Sequence, residues 1–199
     1  MRAAFGLSLL LAALGPLAGC AARGHVATPA EMAGLRASSG LTASGKITLR
    51  GPRGRFSTRV LFGVDRAGSL RLEIPAGAGL RFLLVCRGDR LRAELPQEGA
   101  SYEGEASAEV MSRLFGIDLA PRDLANAILG EAAAEVDARW RFDRGQPAAL
   151  SLRRGETSLP LTLADPETEA PGPDAFALRP IQGALLSLDD MAARLGLTR

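Results

Sequence analysis

Residues 70–95 read LRLEIPAGAGLRFLLVCRGDRLRAEL, and their period decides the fold. Leu70, Leu72 and Ile74 fall on every second position, with Arg71 and Glu73 between them. Pro75-Ala76-Gly77-Ala78-Gly79 interrupts the run. Leu80, Phe82, Leu84 and Cys86 then alternate with Arg81, Leu83, Val85 and Arg87. Gly88-Asp89 turns the chain, and Leu91, Ala93 and Leu95 alternate with Arg90, Arg92 and Glu94. Successive side chains of a strand point to opposite faces, so this alternation predicts strands with one buried and one wet face. Short Gly-containing turns between them make an antiparallel meander.

The same period extends upstream. Lys46-Ile47-Thr48-Leu49-Arg50 alternates, Gly51-Pro52-Arg53-Gly54 turns, and Phe56, Thr58, Val60, Phe62 and Val64 share one face. Downstream it changes after Tyr102. Ser107 is placed to cap a helix that runs through Phe115 and stops at Gly116, with Val110, Met111, Leu114 and Phe115 as its apolar stripe. A second helix has Pro121 in its first turn and stops at Gly130, with Leu124, Ile128 and Leu129 apolar. Strands resume with Val136, Ala138, Trp140 and Phe142, then Leu150 and Leu152, then Leu159, Leu161 and Leu163. Residues 165–174 read as an exposed loop, Phe176 and Leu178 as a last short strand, and Ser187 as the cap of a final helix carrying Leu188, Met191, Ala192 and Leu195. The expected class is α+β, a curved antiparallel sheet with a short helical pair.

Composition narrows the chemistry. In 199 residues, 24 Lys+Arg stand against 22 Asp+Glu, a formal net charge of +2. That leaves no broad basic field, so nucleic acid is not the expected partner. The one histidine, His25, has no companions for a metal site and cannot serve a Ser-His-Asp or Cys-His set in the folded part. No catalytic residue, metal ligand or cofactor is expected, and the chemistry reads as binding. A hydrolytic enzyme is the poorest reading, since no Ser stands in an elbow motif. The arginines Arg50, Arg53, Arg55 and Arg59 around one hairpin read as a solvated edge, or as a face for anionic head groups.

The first twenty residues, MRAAFGLSLLLAALGPLAGC, have the form of an export signal: Arg2, then an apolar run too short to span a bilayer. Leu17-Ala18-Gly19-Cys20 resembles the lipobox of bacterial lipoproteins, which implies acylation of Cys20 and cleavage before it. The expected organisation is a signal peptide over 1–19, the acylated Cys20 with a flexible tether over 20–33, and a folded domain over 34–199. Ala21 after the cysteine, where Asp tends to retain such proteins at the inner membrane, implies the periplasmic face of the outer membrane. With Cys20 acylated, Cys86 has no disulfide partner and reads as a small core residue.

Three stretches carry a wider resemblance. Residues 41–49, LTASGKITL, and 71–79, RLEIPAGAG, are similar to strands of the LolB family of outer-membrane lipoprotein receptors. Residues 115–124, FGIDLAPRDL, closing with Ile128-Leu129-Gly130, resemble that family's helical pair. The resemblance spans about residues 35–163. It implies a LolA/LolB-like incomplete antiparallel β-barrel covered by helices, with an apolar cavity between them. It also implies acylated lipoproteins or other lipids as ligands, received from a LolA-like periplasmic carrier. The wall would be formed by Val60, Phe62, Leu72, Phe82, Leu84 and Trp140, and the lid by Val110, Met111, Leu114, Phe115, Leu124 and Ile128. Each of these also reads as plain core. A membrane-insertion loop falls on Pro75, Ala76, Gly77, Ala78, Gly79 and Leu80, with Ala76 where the family has an exposed Leu. The alternative is a structural or interaction lipoprotein that docks onto an envelope complex and has a filled interior.

If Cys20 is the anchor, Cys20→Ala abolishes incorporation of labelled palmitate and removes the chain from the outer-membrane fraction. Metabolic labelling with fractionation measures both, and an acylated Cys20→Ala chain contradicts the assignment.

Overall fold

The computed structural model describes residues 24–51, 54–77, 79–155, 157–181 and 183–195. The signal segment and Cys20 lie outside the described residues. The chain order is β1 (His25–Val26), α1 (Pro29–Ala37), β2 (Gly40–Gly51), β3 (Gly54–Asp65), β4 (Leu70–Ala76), β5 (Gly79–Arg87), β6 (Arg90–Leu95) and β7 (Ala100–Glu105). Then come α2 (Ala108–Phe115), α3 (Pro121–Ile128), β8 (Asp137–Asp143), β9 (Gln146–Arg154), β10 (Thr157–Glu167), β11 (Ala184–Leu185) and α4 (Leu188–Leu195). Single 3₁₀ turns lie at Pro96–Glu98 and Pro173–Phe176. No helix among the described residues is long and apolar enough to cross a membrane.

The strands form one curved, unclosed sheet in the order β1-β8-β9-β10-β2-β3-β4-β5-β6-β7-β11. Neighbours are antiparallel except the parallel pair β7 and β11. The alternation read from the sequence is the pleat itself. Val60, Phe62 and Val64 of β3, Phe82, Leu84 and Cys86 of β5, and Leu91, Ala93 and Leu95 of β6 all point into one core. Register shifts interrupt the β4–β5, β8–β9 and β10–β2 ladders. Such bulges raise the local twist and bend a strand, which helps a sheet this wide to curl.

The helices lie against the concave face. Ser107 caps α2 by accepting the Val110 N–H at 3.3 Å, and Gly116 ends it in the left-handed region at φ 69°. Pro121 opens α3, and Ser187 caps α4 by accepting the Asp190 N–H at 3.1 Å. A salt bridge of 2.6 Å joins Arg113 of α2 to Asp189 of α4. One hydrophobic cluster joins residues of the long strands to Leu35 of α1, Leu114 of α2, Leu124 of α3 and Met191 of α4. The described residues thus share a core of their own, which is what independent folding requires.

Two expectations are corrected. The tether read over 20–33 is folded from residue 24 onward. His25 and Val26 pair with Phe142 and Arg141, and α1 starts at Pro29. The signal for this was a capping box: Thr28 accepts the Glu31 N–H, and Glu31 reaches back to the Thr28 N–H at 2.8 Å. The strand expected at Phe176 and Leu178 is also absent. Phe176 ends a 3₁₀ turn and is buried, while the short strand lies at β11.

Residues 170–181 instead strap the convex face. Pro171 lies over Gly63, where a Cβ would meet its ring at 2.5 Å, so that strand position must stay bare. Arg71 donates to the Ala175 carbonyl at 2.8 Å. Beneath the strap Arg92, expected to face water, is 6% exposed and paired with Glu103 at 2.5 Å. Of the arginine hairpin, Arg53 and the side chains of Arg50 and Arg55 lie outside the described residues, and Arg59 is exposed.

Cys86 points into the core, and burial pushes its thiol up to about 12. Only the thiolate attacks a disulfide reagent, so at about pH 8 the native thiol stays inert. A thiol titration should find Cys86 unreactive in the native chain and fully reactive in urea. Prompt native reaction would mean the core around β5 is open.

Candidate functional site

The concave face is not filled along its whole length. Between β2–β6 on one side and α2, α3 and α4 on the other lies a cavity of about 480 Å³. The sheet contributes Ile47, Val60, Leu70, Leu72, Ile74, Ala76, Phe82, Leu84 and Leu95. The helices and their connections contribute Met111, Phe115, Ile117, Leu124 and Leu195. Phe82 and Phe115 meet edge to face, ring centres 5.5 Å apart, and tie the sheet to α2. Leu72 and Ile74 are large, apolar and on the inner face, yet only half-buried. Side chains of this type are normally sealed when a helix packs over them. Here no side chain fills the space in front of them.

The expected site residues divide accordingly. Val60, Leu72, Phe82, Leu84, Met111, Phe115 and Leu124 line the cavity. Phe62, Val110, Leu114, Ile128 and Trp140 do not, and are packed core. An apolar helix stripe is broad enough for one edge to face a cavity while the other packs against the sheet. That is how α2 divides Met111 and Phe115 from Val110 and Leu114. Trp140 sits on β8, with β9, β10 and β2 between it and β3, and its ring packs edge-on to Phe142 at 6.3 Å. Missed residues such as Leu70, Ile74 and Ala76 share the period of Leu72, so the signal was present. Leu195 was visible only as part of the stripe of α4.

The segment Pro75–Leu80 behaves differently from its alternation. Ile74 pairs with Phe82, and the next residue, Pro75, pairs with Leu80. Arg81 is therefore an extra residue opposite no partner, a bulge beside a proline that has no N–H to give the ladder. The bulge reverses the faces. Arg81 and Phe82 both reach the cavity, and Leu80 turns to the convex side. There it lines a second groove, of about 530 Å³, with Leu83, Val85 and strap residues such as Leu178. The sequence reading that put Leu80 on the face of Phe82 is corrected by that one inserted residue. Ala76 lines the cavity, Gly77 forms the turn, and Ala78 lies outside the described residues.

The remaining lining is polar. Gln97 and Glu98 come from the 3₁₀ turn after β6, Arg194 from α4 and Arg81 from the bulge. Arg194 pairs with Glu98 at 2.6 Å, joining α4 to that turn. The arrangement has oily walls, no nucleophile paired with a base, and charge confined to a few side chains. It can hold an apolar guest.

No protein-family model and no curated protein matches this chain. Among solved structures it is similar to the crystal structure of an uncharacterized conserved protein from Thermus thermophilus. The two are 7% identical, the match covers 79% of this chain and 97% of that one, and the TM-score is 0.42.

Packing separates lining from core in stability. Leu114 is fully buried away from the cavity, so Leu114→Ala should cost about 3 kcal/mol. Leu72→Ala removes methyl groups that already face empty space and should cost about 1 kcal/mol. Urea unfolding measures both, and equal losses would mean that Leu72 is packed like core.

Proposed function

We propose that this chain is a LolB-like lipid-handling protein that takes acyl chains of lipoproteins, or of other lipids, into the cavity beneath α2–α4. Held at the periplasmic face of the outer membrane through Cys20, it assists their transfer into that membrane without catalysis. The observation that carries this reading is the unfilled, apolar-walled space in front of Leu72 and Ile74. Its volume lies within the roughly 300–1,000 Å³ usual for small-ligand sites. An unclosed antiparallel sheet with helical cover is also the architecture that the LolB resemblance implies. A structural lipoprotein with a filled interior does not account for that space.

The energetics suit such a role. Each CH₂ withdrawn from water is worth ~0.8 kcal/mol, so a chain of about 14 carbons exposes roughly 11 kcal/mol of unfavourable contact. A carrier must cover that surface and still give it up to a bilayer. Loose walls of Leu, Ile, Met and Phe, with no directional bonds to break, meet both demands. The segment Pro75–Leu80 remains the candidate for contact with the membrane, with the exposed turn at Gly77 as its tip.

The test uses the chain from Ala21 onward with acyl lipids. Native mass spectrometry should find co-purified acyl species, and a photo-crosslinking acylated lipoprotein should label the Phe82 face. Leu72→Trp fills the space and should cut both at least several-fold with the circular dichroism spectrum unchanged. A folded protein with neither bound acyl species nor crosslink overturns the reading.

A further inference from the structure

Arg81 stands in the lining of the cavity, where the alternation of β5 would not put it. The bulge in β5 is the reason. A regular strand would put Leu80 on the cavity side and Arg81 on the convex side. The extra residue brings Arg81, which is exposed, into a lining that includes Ile74, Ala76 and Phe82. The other charged groups lining the cavity are spoken for, because Glu98 and Arg194 hold each other at 2.6 Å. Arg81 makes no ion pair or hydrogen bond among the described residues. Two guanidinium groups and one carboxylate thus leave this end of the cavity with a net positive charge.

A guanidinium stays charged at any working pH and offers a flat fork of donors that fits carboxylate and phosphate oxygens two at a time. An exposed pair of this kind is weak by itself. Two features strengthen it here. The tail of the guest holds the headgroup in place, and the apolar wall excludes water from one side.

We propose that the preferred guest is an anionic amphiphile: an acyl chain in the cavity, with a carboxylate or phosphate headgroup on Arg81. This rests on the cavity being a lipid site and narrows which lipid it takes. A diacylglyceryl cysteine has no acid on its glyceryl end, so the inference favours acidic lipids over lipoprotein anchors as guests.

The test displaces the neutral fluorophore N-phenyl-1-naphthylamine from the chain beginning at Ala21. The competitors are palmitate, palmitoyl lysophosphatidate and monopalmitoyl glycerol, which share one tail and differ in headgroup. At least one acid should bind about three- to tenfold tighter than the neutral ester, with the gap closing at high salt. The stronger acid tells whether the headgroup is a carboxylate or a phosphate. Arg81→Gln should abolish the gap, and Arg81→Lys should retain part of it. Arg87→Gln, at the far end of β5, should keep it. Equal binding of all three competitors, or a gap that survives Arg81→Gln, overturns the charge inference and leaves the cavity reading intact. If none displaces the fluorophore from folded protein, both fall together.

Discussion

The molecule is governed by a mismatch in size between a sheet and its cover. Five neighbouring strands, β2–β6, present an apolar concave surface about 19 Å across at the usual spacing of strands. The helices laid against it, α2, α3 and α4, have eight residues each, which is about 12 Å of helix. Three short rods at angles can roof such a surface but cannot fill it. Where they sit close, Leu114, Ile128 and Met191 complete a normal core. Where they stand off, Leu72 and Ile74 face open space.

The magnitude of that gap limits what it can be. Voids left by large-to-small core substitutions cost roughly 24 cal/mol per Å³, so a sealed dry void of 480 Å³ would cost about 12 kcal/mol. That is comparable to the whole stability of an ordinary domain. A sealed dry void is therefore an implausible resting state, and the space must admit solvent or a guest. Polar residues in its lining, Arg81, Gln97, Glu98 and Arg194, are consistent with an opening to water. A guest that covers Leu72 and Ile74 recovers the apolar surface that folding alone leaves half-wet.

Much of this was legible in the amino-acid order. Strands declare themselves by period two, and the apolar faces of β3–β6 could be written down residue by residue. The helical pair was marked by Ser107, Gly116 and Pro121, which are local signals of local structure. The failures share one cause, which is that register is not local. Arg81 and Leu80 exchange faces at a bulge opposite Pro75, which has no N–H to give the ladder and lies several residues away through a turn. The strap is a similar case. Pro171 and Ala175 are held by Gly63 and Arg71, about a hundred residues earlier, and nothing in 165–186 alone distinguishes a packed strap from a free loop. The cavity was legible only as a list of apolar residues, since periodicity says which face a side chain takes and nothing about whether the facing volume is occupied.

The distribution of packing argues that the hollow is a property of place and not of a poor core. At the other end of the same sheet, β8–β10 are sealed. Trp140, Phe142, Leu150, Leu152, Leu159 and Leu161 are all at or below 5% exposure, and two aromatic rings interlock there. Aromatic rings reach the hollow end only from β5 and α2, as Phe82 and Phe115, while β4 carries only Leu, Ile and Ala inward, with no aromatic among Leu70, Leu72, Ile74 and Ala76. A single Phe or Trp at position 72 or 74 would fill much of the space. The solid end can hold the curvature of the sheet fixed, so that the hollow end keeps its shape whether or not it is occupied.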